Sequence, residues 1–198
     1  MSIEIRSYRQ TTPTTCIAAS ALMIFNHFEP DKYPLTIMNE LKLHKRIRFW
    51  NNINGDYGNF SRLSEYALDN GYSVKFYLEE PRTPDLEQMP LKLFNQYMRH
   101  FLGPLDYLKE NPNFELRIGS FSCFDMYENI HMQKPIIVEI NYPTSYPSHN
   151  VVLNSIDADI VSYVDPIAGP QTCSTQEFDK MMKLDYMQAA LVISKGGL

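Results

Sequence analysis

The chain has 198 residues, enough for one domain with a substantial core, and residues 1–198 are expected to form a single domain. Charged residues make up 21% and hydrophobic ones 44%, an ordinary globular balance; the net charge of −5 argues against nucleic acid or an anionic membrane as the main partner. No apolar run reaches the ~18 residues of a membrane span, and the N-terminal Met-Ser-Ile-Glu-Ile-Arg has no basic-then-apolar signal pattern. Cys16, Cys123 and Cys173 are widely spaced and odd in number, which suits free thiols in the cytoplasm rather than a disulfide framework or a zinc site.

In chain order, residues 14–28 carry apolar side chains at helical spacing, with Pro13 and two threonines suited to the first turn. Further helices are expected over 31–43 and 60–70, the second ended by Asn70-Gly71. The basic cluster Lys42, Lys45, Arg46 and Arg48 reads as a solvated face. Residues 73–78 form a strand pattern, prolines punctuate 81–90, and 91–109 reads as a helix kinked at Gly103-Pro104. Strands are then expected over 135–140, 149–156, 160–165 and 189–194. Ser174-x-x-Glu177 has the form of a capping box opening a short helix through Met182. Helices first and mostly antiparallel strands later make an α+β domain of two lobes.

Cys16 sits at the expected start of the first buried helix, where unpaired N–H groups and the positive end of the macrodipole stabilise a thiolate. By itself it reads more readily as a small hydrophobe on an inner helix face. Gln10, six residues earlier, could donate to a developing oxyanion. A thiolate also needs a base held in one tautomer by a third group. His27, His44, His100 and His131 fall in helical segments, whereas His149 opens a core strand after the turn-like 143–148. A three-residue turn over 157–159 would set Asp165 opposite Val151 and give His149 and Asp165 the same face; a two-residue turn would separate them. Cys123 and Cys173 lack an equally placed base. The histidines are not in metal-ligand spacing, so no metal or cofactor is expected. Trp50 and the tyrosine-rich residues 142–146 are candidates for lining a groove.

Arg9-Gln10-Thr11-Thr12-Pro13-Thr14-Thr15-Cys16, Ser148-His149-Asn150-Val151-Val152 and Tyr163-Val164-Asp165-Pro166 resemble the nucleophile, His-x-Val-Val and Asp-Pro segments of the peptidase C39-like family of papain-like cysteine peptidases. Gly55-Asp56-Tyr57-Gly58-Asn59 and Asn70-Gly71-Tyr72 are similar to its glycine loop and strand start, so the resemblance runs over about residues 8–170. It implies a papain-like two-lobe fold: an N-terminal helical lobe carries the nucleophile and faces a C-terminal antiparallel sheet. It also implies a Cys-His-Asp triad of Cys16, His149 and Asp165, with Gln10 in the oxyanion hole. The family commonly has Gly-Pro after the cysteine; Ile17-Ala18 stand here, which bears on specificity more than on chemistry. Its best-known members are fused to a transporter and cut leader peptides after paired glycines. This chain has no transporter segment, so that substrate is not carried over. The expected function is a cysteine peptidase or amidase acting on a peptide or amide through an acyl-enzyme, with a peptide-modifying enzyme as a partner. A transpeptidase or acyltransferase using the same acyl-enzyme stays open, as does an inert peptide-binding domain.

Overall fold

The computed structural model describes residues 2–51, 55–79, 103–141, 149–183 and 188–196, the side chains of 49–58 excepted. Its centre is helix α1 (Cys16–Phe28), in which every residue from Ile17 to Asn26 is buried. A helix apolar on all sides must be enclosed, and α1 lies between the sheet on one side and α2 (Ile37–Ile47) on the other. Its start falls two residues later than expected. Pro13 and the Thr12–Thr15 turn come first, with the Thr15 hydroxyl donating back to the Thr12 carbonyl at 2.9 Å instead of capping the helix.

Helix α2 is shifted from 31–43 to Ile37–Ile47, because Thr36 caps it by accepting from the Asn39 N–H at 3.3 Å. Its basic last turn offsets the partial negative charge at a helix C-terminus. The hairpin β1 (Arg48–Asn51) and β2 (Gly55–Gly58) follows. Helix α3 (Phe60–Asp69) is capped by Asn59, whose side chain accepts from the N–H groups of Ser61 and Arg62. It stops as expected at Asn70-Gly71, where Gly71 takes φ +81°.

Strand β3 (Ser73–Glu79) is followed, among the described residues, by α4 (Gly103–Leu108), β4 (Phe114–Ile118) and α5 (Cys123–His131). Most of the helix expected over 91–109 therefore lies outside the described residues, as do the loop over 81–90 and the turn over 143–148. The chain ends with β5 (Ile136–Ile140), β6 (His149–Asp157), β7 (Ile160–Asp165), β8 (Gly169–Ser174), α6 (Thr175–Met182) and β9 (Gln188–Ser194). The Ser174–Glu177 capping box opens α6 as expected.

Seven strands form one sheet in the order β4-β3-β9-β5-β6-β7-β8. The β3–β4 pair is parallel, a departure from the antiparallel expectation, and the other pairs are antiparallel. The sequence reading misses both edge strands, β8 and also β4, although in β4 Phe114-Glu115-Leu116-Arg117-Ile118 alternates apolar and charged residues. An edge strand is half exposed and has no need of a continuous apolar face, and β8 even begins Gly169-Pro170. One apolar cluster joins α1, the central strands and α3. Among the described residues no helix is long and apolar enough to cross a membrane.

Candidate active site

Helix α1 packs on β6, and the Ser20 hydroxyl donates to the Asn150 carbonyl at 3.1 Å. That contact fixes the height of the helix against the strand and sets Cys16 beside the start of β6. The segment before Cys16 is held from the opposite side by Glu40, a fully buried carboxylate on α2. Glu40 accepts from the Tyr8 hydroxyl at 2.8 Å, from the Thr11 N–H at 2.9 Å, and from the Thr11 hydroxyl. A buried carboxylate is tolerated only when its lone pairs are satisfied, and here the satisfying groups all belong to the run leading into Cys16.

Strands β6 and β7 do not meet through the expected three-residue turn. Asp157 pairs with Ile160, Ile156 with Val161 and Ser155 with Ser162, so the turn is the two-residue Ala158-Asp159. That register alone would put His149 and Asp165 on opposite faces. A bulge at Asn154 then shifts the pairing: Leu153 faces Tyr163 and Val152 faces Val164, so Val151 comes opposite Asp165. His149 and Asp165 thus share a face, as the sequence requires, through a device the sequence reading lacks. The Ile3 N–H donates to the Asn154 carbonyl at 2.7 Å and secures the bulge.

His149 and Asp165 are each 3% exposed, and His149 Nε2 lies 2.9 Å from Asp165 Oδ1. The same oxygen accepts from the N–H groups of Ile167 at 2.6 Å and Ala168 at 3.2 Å. Burial pushes the Asp165 carboxyl upward, but His149 and these N–H groups outweigh it and hold it below the usual range. An ionised carboxylate only accepts, so Nε2 carries the proton of that bond and Nδ1 is the ring nitrogen left to act toward Cys16. Burial disfavours the imidazolium; Asp165 and Cys16 oppose it and raise the His149 pKa to about 9.

Gln10 is half-buried, and its N–H donates to the carbonyl of Pro166, the residue after Asp165, at 2.8 Å. Its side-chain Nε2 donates to the Thr12 carbonyl at 2.7 Å, which fixes the amide and leaves a second N–H on that nitrogen. The chain start therefore binds the Asp165 turn and the nucleophile loop together. Sequence reasoning missed two residues. Asn150, 7% exposed, points its Nδ2 at Cys16 Sγ from 3.5 Å, and its Oδ1 is buried with no hydrogen-bond partner among the described residues. Glu40 is the other, and its signal was available: Glu40, Leu43, His44 and Ile47 share the buried stripe of α2, so a charge stands where the pattern calls for an apolar residue.

The other cysteines and histidines do not assemble a comparable site. Cys123 is buried at the start of α5, where burial and the nearby Asp179 push its thiol strongly upward, and burial raises Cys173 as well. His27 and His131 sit on helices, His27 against the Glu4 carbonyl and His131 edge-on to Tyr127; His100 lies outside the described residues. Among the described residues no group of His, Cys, Asp and Glu is arranged to hold a metal ion.

No family model and no curated relative matches the chain. Solved structures do. A double-glycine motif protease from an AMS/PCAT transporter, solved in complex with the leader peptide, is 17% identical with a TM-score of 0.54, covering 98% of this chain and 94% of that one. The peptidase domain of Streptococcus ComA, a bifunctional ABC transporter, is 11% identical at TM-score 0.57, covering 98% and 100%. A C39-like peptidase from Bacillus anthracis is 12% identical at TM-score 0.55, covering 100% of both chains. The chain therefore has the α+β fold of C39-type peptidase domains, over nearly its whole length.

Proposed function

We propose that the chain is a thiol-dependent enzyme that acts on a peptide or amide through an acyl-enzyme. Cys16 is the nucleophile, His149 the base, Asp165 the group that orients it, and Gln10 a donor to the oxyanion. The carrying observation is the buried imidazole, bonded at Nε2 to Asp165 at 2.9 Å and near enough to Cys16 for the sulfur to raise its pKa. With its pKa raised to about 9, His149 holds the proton that the Cys16 thiol gives up, and the sulfur attacks the carbonyl carbon. The resulting oxyanion is stabilised by the free N–H of the Gln10 amide and the first N–H groups of α1. The imidazolium then returns its proton to the leaving amine, and the C–N bond breaks to give a thioester on Cys16. Water or an amine releases the acyl group, which separates hydrolysis from transfer. The leader peptide bound to the double-glycine protease favours a peptide substrate here too. Action in the cytoplasm, beside a peptide-modifying enzyme, fits the same reading.

A thiol-directed, carbonyl-bearing activity probe tests it. Wild type should gain the mass of one probe, and Cys16→Ala and His149→Ala should gain none. Equal labelling of wild type and Cys16→Ala would sink the assignment. Product masses from a peptide library, with and without added amine, distinguish hydrolysis from transfer.

A further inference from the structure

Lys42, Lys45 and Arg46 recur at intervals of three and four on α2, so one face of its last turns carries three cations. The sequence presents them as a solvated face. In the structure that face is one wall of a cavity of about 810 Å³. The other walls are the turn after α1, with Lys32 and Tyr33, and the end of α3, with Tyr66. Among the described residues no carboxylate lines the cavity, and Lys42, Lys45 and Arg46 make no ion pair. Lys32 has a loose contact with Glu29 at 3.9 Å, but Glu29 is also engaged by Lys195 at 3.4 Å and by the Tyr72 hydroxyl. In a protein of net charge −5, four cations line one concavity, and three of them have no ion-pair partner among the described residues, a local field of opposite sign.

The aromatic wall is rigid. Phe25, fully buried, packs on Tyr33 at 5.1 Å and on Tyr66 at 5.6 Å, and the Tyr33 hydroxyl is tied to Asn70 Oδ1 at 2.9 Å. Burial lifts the Tyr66 hydroxyl to about 12, while Lys32 and Arg46 both pull it the other way, so cations from two walls act on one point in the cavity. A lone phosphate ion is far smaller than this volume, which falls within the ~300–1,000 Å³ of small-molecule sites.

We propose that this cavity binds a phosphate-bearing small molecule of about nucleotide size, its anionic groups held by Lys32, Lys42, Lys45 and Arg46 and its flat portion by the half-buried Tyr66 ring and the small exposed part of Tyr33. Arginine and lysine are the ordinary partners of phosphate oxygens, and the braced rings offer a preformed apolar surface. The site is separate from the acyl chemistry at Cys16 and does not depend on it.

Calorimetric titration of the full chain at low salt tests this, with ADP, pyrophosphate and adenosine as separate probes. ADP should bind saturably and more tightly than either part of itself. Added salt should weaken it, and K42E/R46E should weaken it by at least roughly tenfold. Both side chains are exposed, so the double variant should still unfold cooperatively, its melting midpoint lowered modestly by the reversed charge near the end of α2; K45A, a milder change, should weaken ADP by a smaller factor. Failure of ADP to saturate wild type overturns the proposal, as does equal affinity in K42E/R46E. Pyrophosphate binding as tightly as ADP removes the role given to the tyrosines. An oligoglutamate peptide that binds where ADP does not replaces the small molecule with an acidic chain.

Discussion

Replacing Asp165 with asparagine isolates the charge behind His149 while keeping the geometry of the turn. The asparagine carbonyl can still accept from Nε2–H and from the N–H groups of Ile167 and Ala168, now at 2.9, 2.6 and 3.2 Å. What is lost is the negative charge that, with Cys16, raises the imidazole against its burial. The His149 pKa stands at about 9 against an ordinary value of 6.5. At roughly 1.4 kcal/mol per pKa unit, that rise corresponds to roughly 3–4 kcal/mol of folding free energy. Because the folded value lies above the unfolded one, this contribution is full below about pH 6.5. It is lost as the pH climbs from there through about 9. Asp165 is shifted the opposite way, so its own contribution is lost only in acid and stays constant over this window. Denaturant unfolding of wild type and Asp165→Asn at intervals from pH 6 to 10 reads the slope, and ring-proton NMR reads the imidazole directly. The wild-type stability should fall more steeply with pH than the variant's, and the His149 midpoint should drop toward or below 6.5 in the variant. Superimposable pH profiles, or a wild-type His149 that already titrates near 6.5, would refute the account of a charged pair.

Gln10→Ala should lower kcat by ~10²–10³, the scale for removing one oxyanion donor, with little change in KM. Its Cys16 should still alkylate with iodoacetamide at the wild-type rate; an unchanged kcat, or a parallel loss of alkylation, would contradict an oxyanion role. Glu40→Leu strands the Tyr8 hydroxyl and both donors of Thr11 and should cost ~3–5 kcal/mol in denaturant unfolding, with Glu40→Gln recovering part of it. A loss within ~0.5 kcal/mol would show that Glu40 does not hold the nucleophile loop.

Much of this architecture is legible along the chain because the relevant signals are local. The buried helix, the Asn70-Gly71 stop, the Ser174–Glu177 capping box and the central strands each follow from spacing or turn chemistry within a few residues. Elements that depend on their surroundings were missed. Strand β8, Gly169–Ser174, carries no apolar alternation and exists because β7 offers hydrogen bonds, whereas β4 does alternate, Phe114-Glu115-Leu116-Arg117-Ile118, and its signal was available. Glu40 reads as an ordinary helical acid until Tyr8 and Thr11 are known to converge on it from 32 and 29 residues away.

The His149–Asp165 pairing shows why a correct expectation can rest on the wrong geometry. Catalysis by this pair needs only that the two side chains share a face, a question of parity along the hairpin. Parity can be set at the turn or anywhere between the turn and the site. The sequence, Ile156-Asp157-Ala158-Asp159-Ile160, allows either turn length; the chain adopts the shorter one and restores parity at Asn154. A bulge is stable there because its backbone carbonyl is claimed by Ile3, seven residues before Gln10 binds Pro166 on the same stretch of chain. The first ten residues, which composition alone marks as an ordinary polar start, thus act at both ends of the hairpin. At Asn154 they stabilise the register that aligns His149 with Asp165. At Pro166 they join the turn behind Asp165 to the loop that carries Gln10 and leads to Cys16. Cys16 and His149 come from segments 133 positions apart in the chain, and this N-terminal strap is a physical link between them in addition to the packing of α1 on β6.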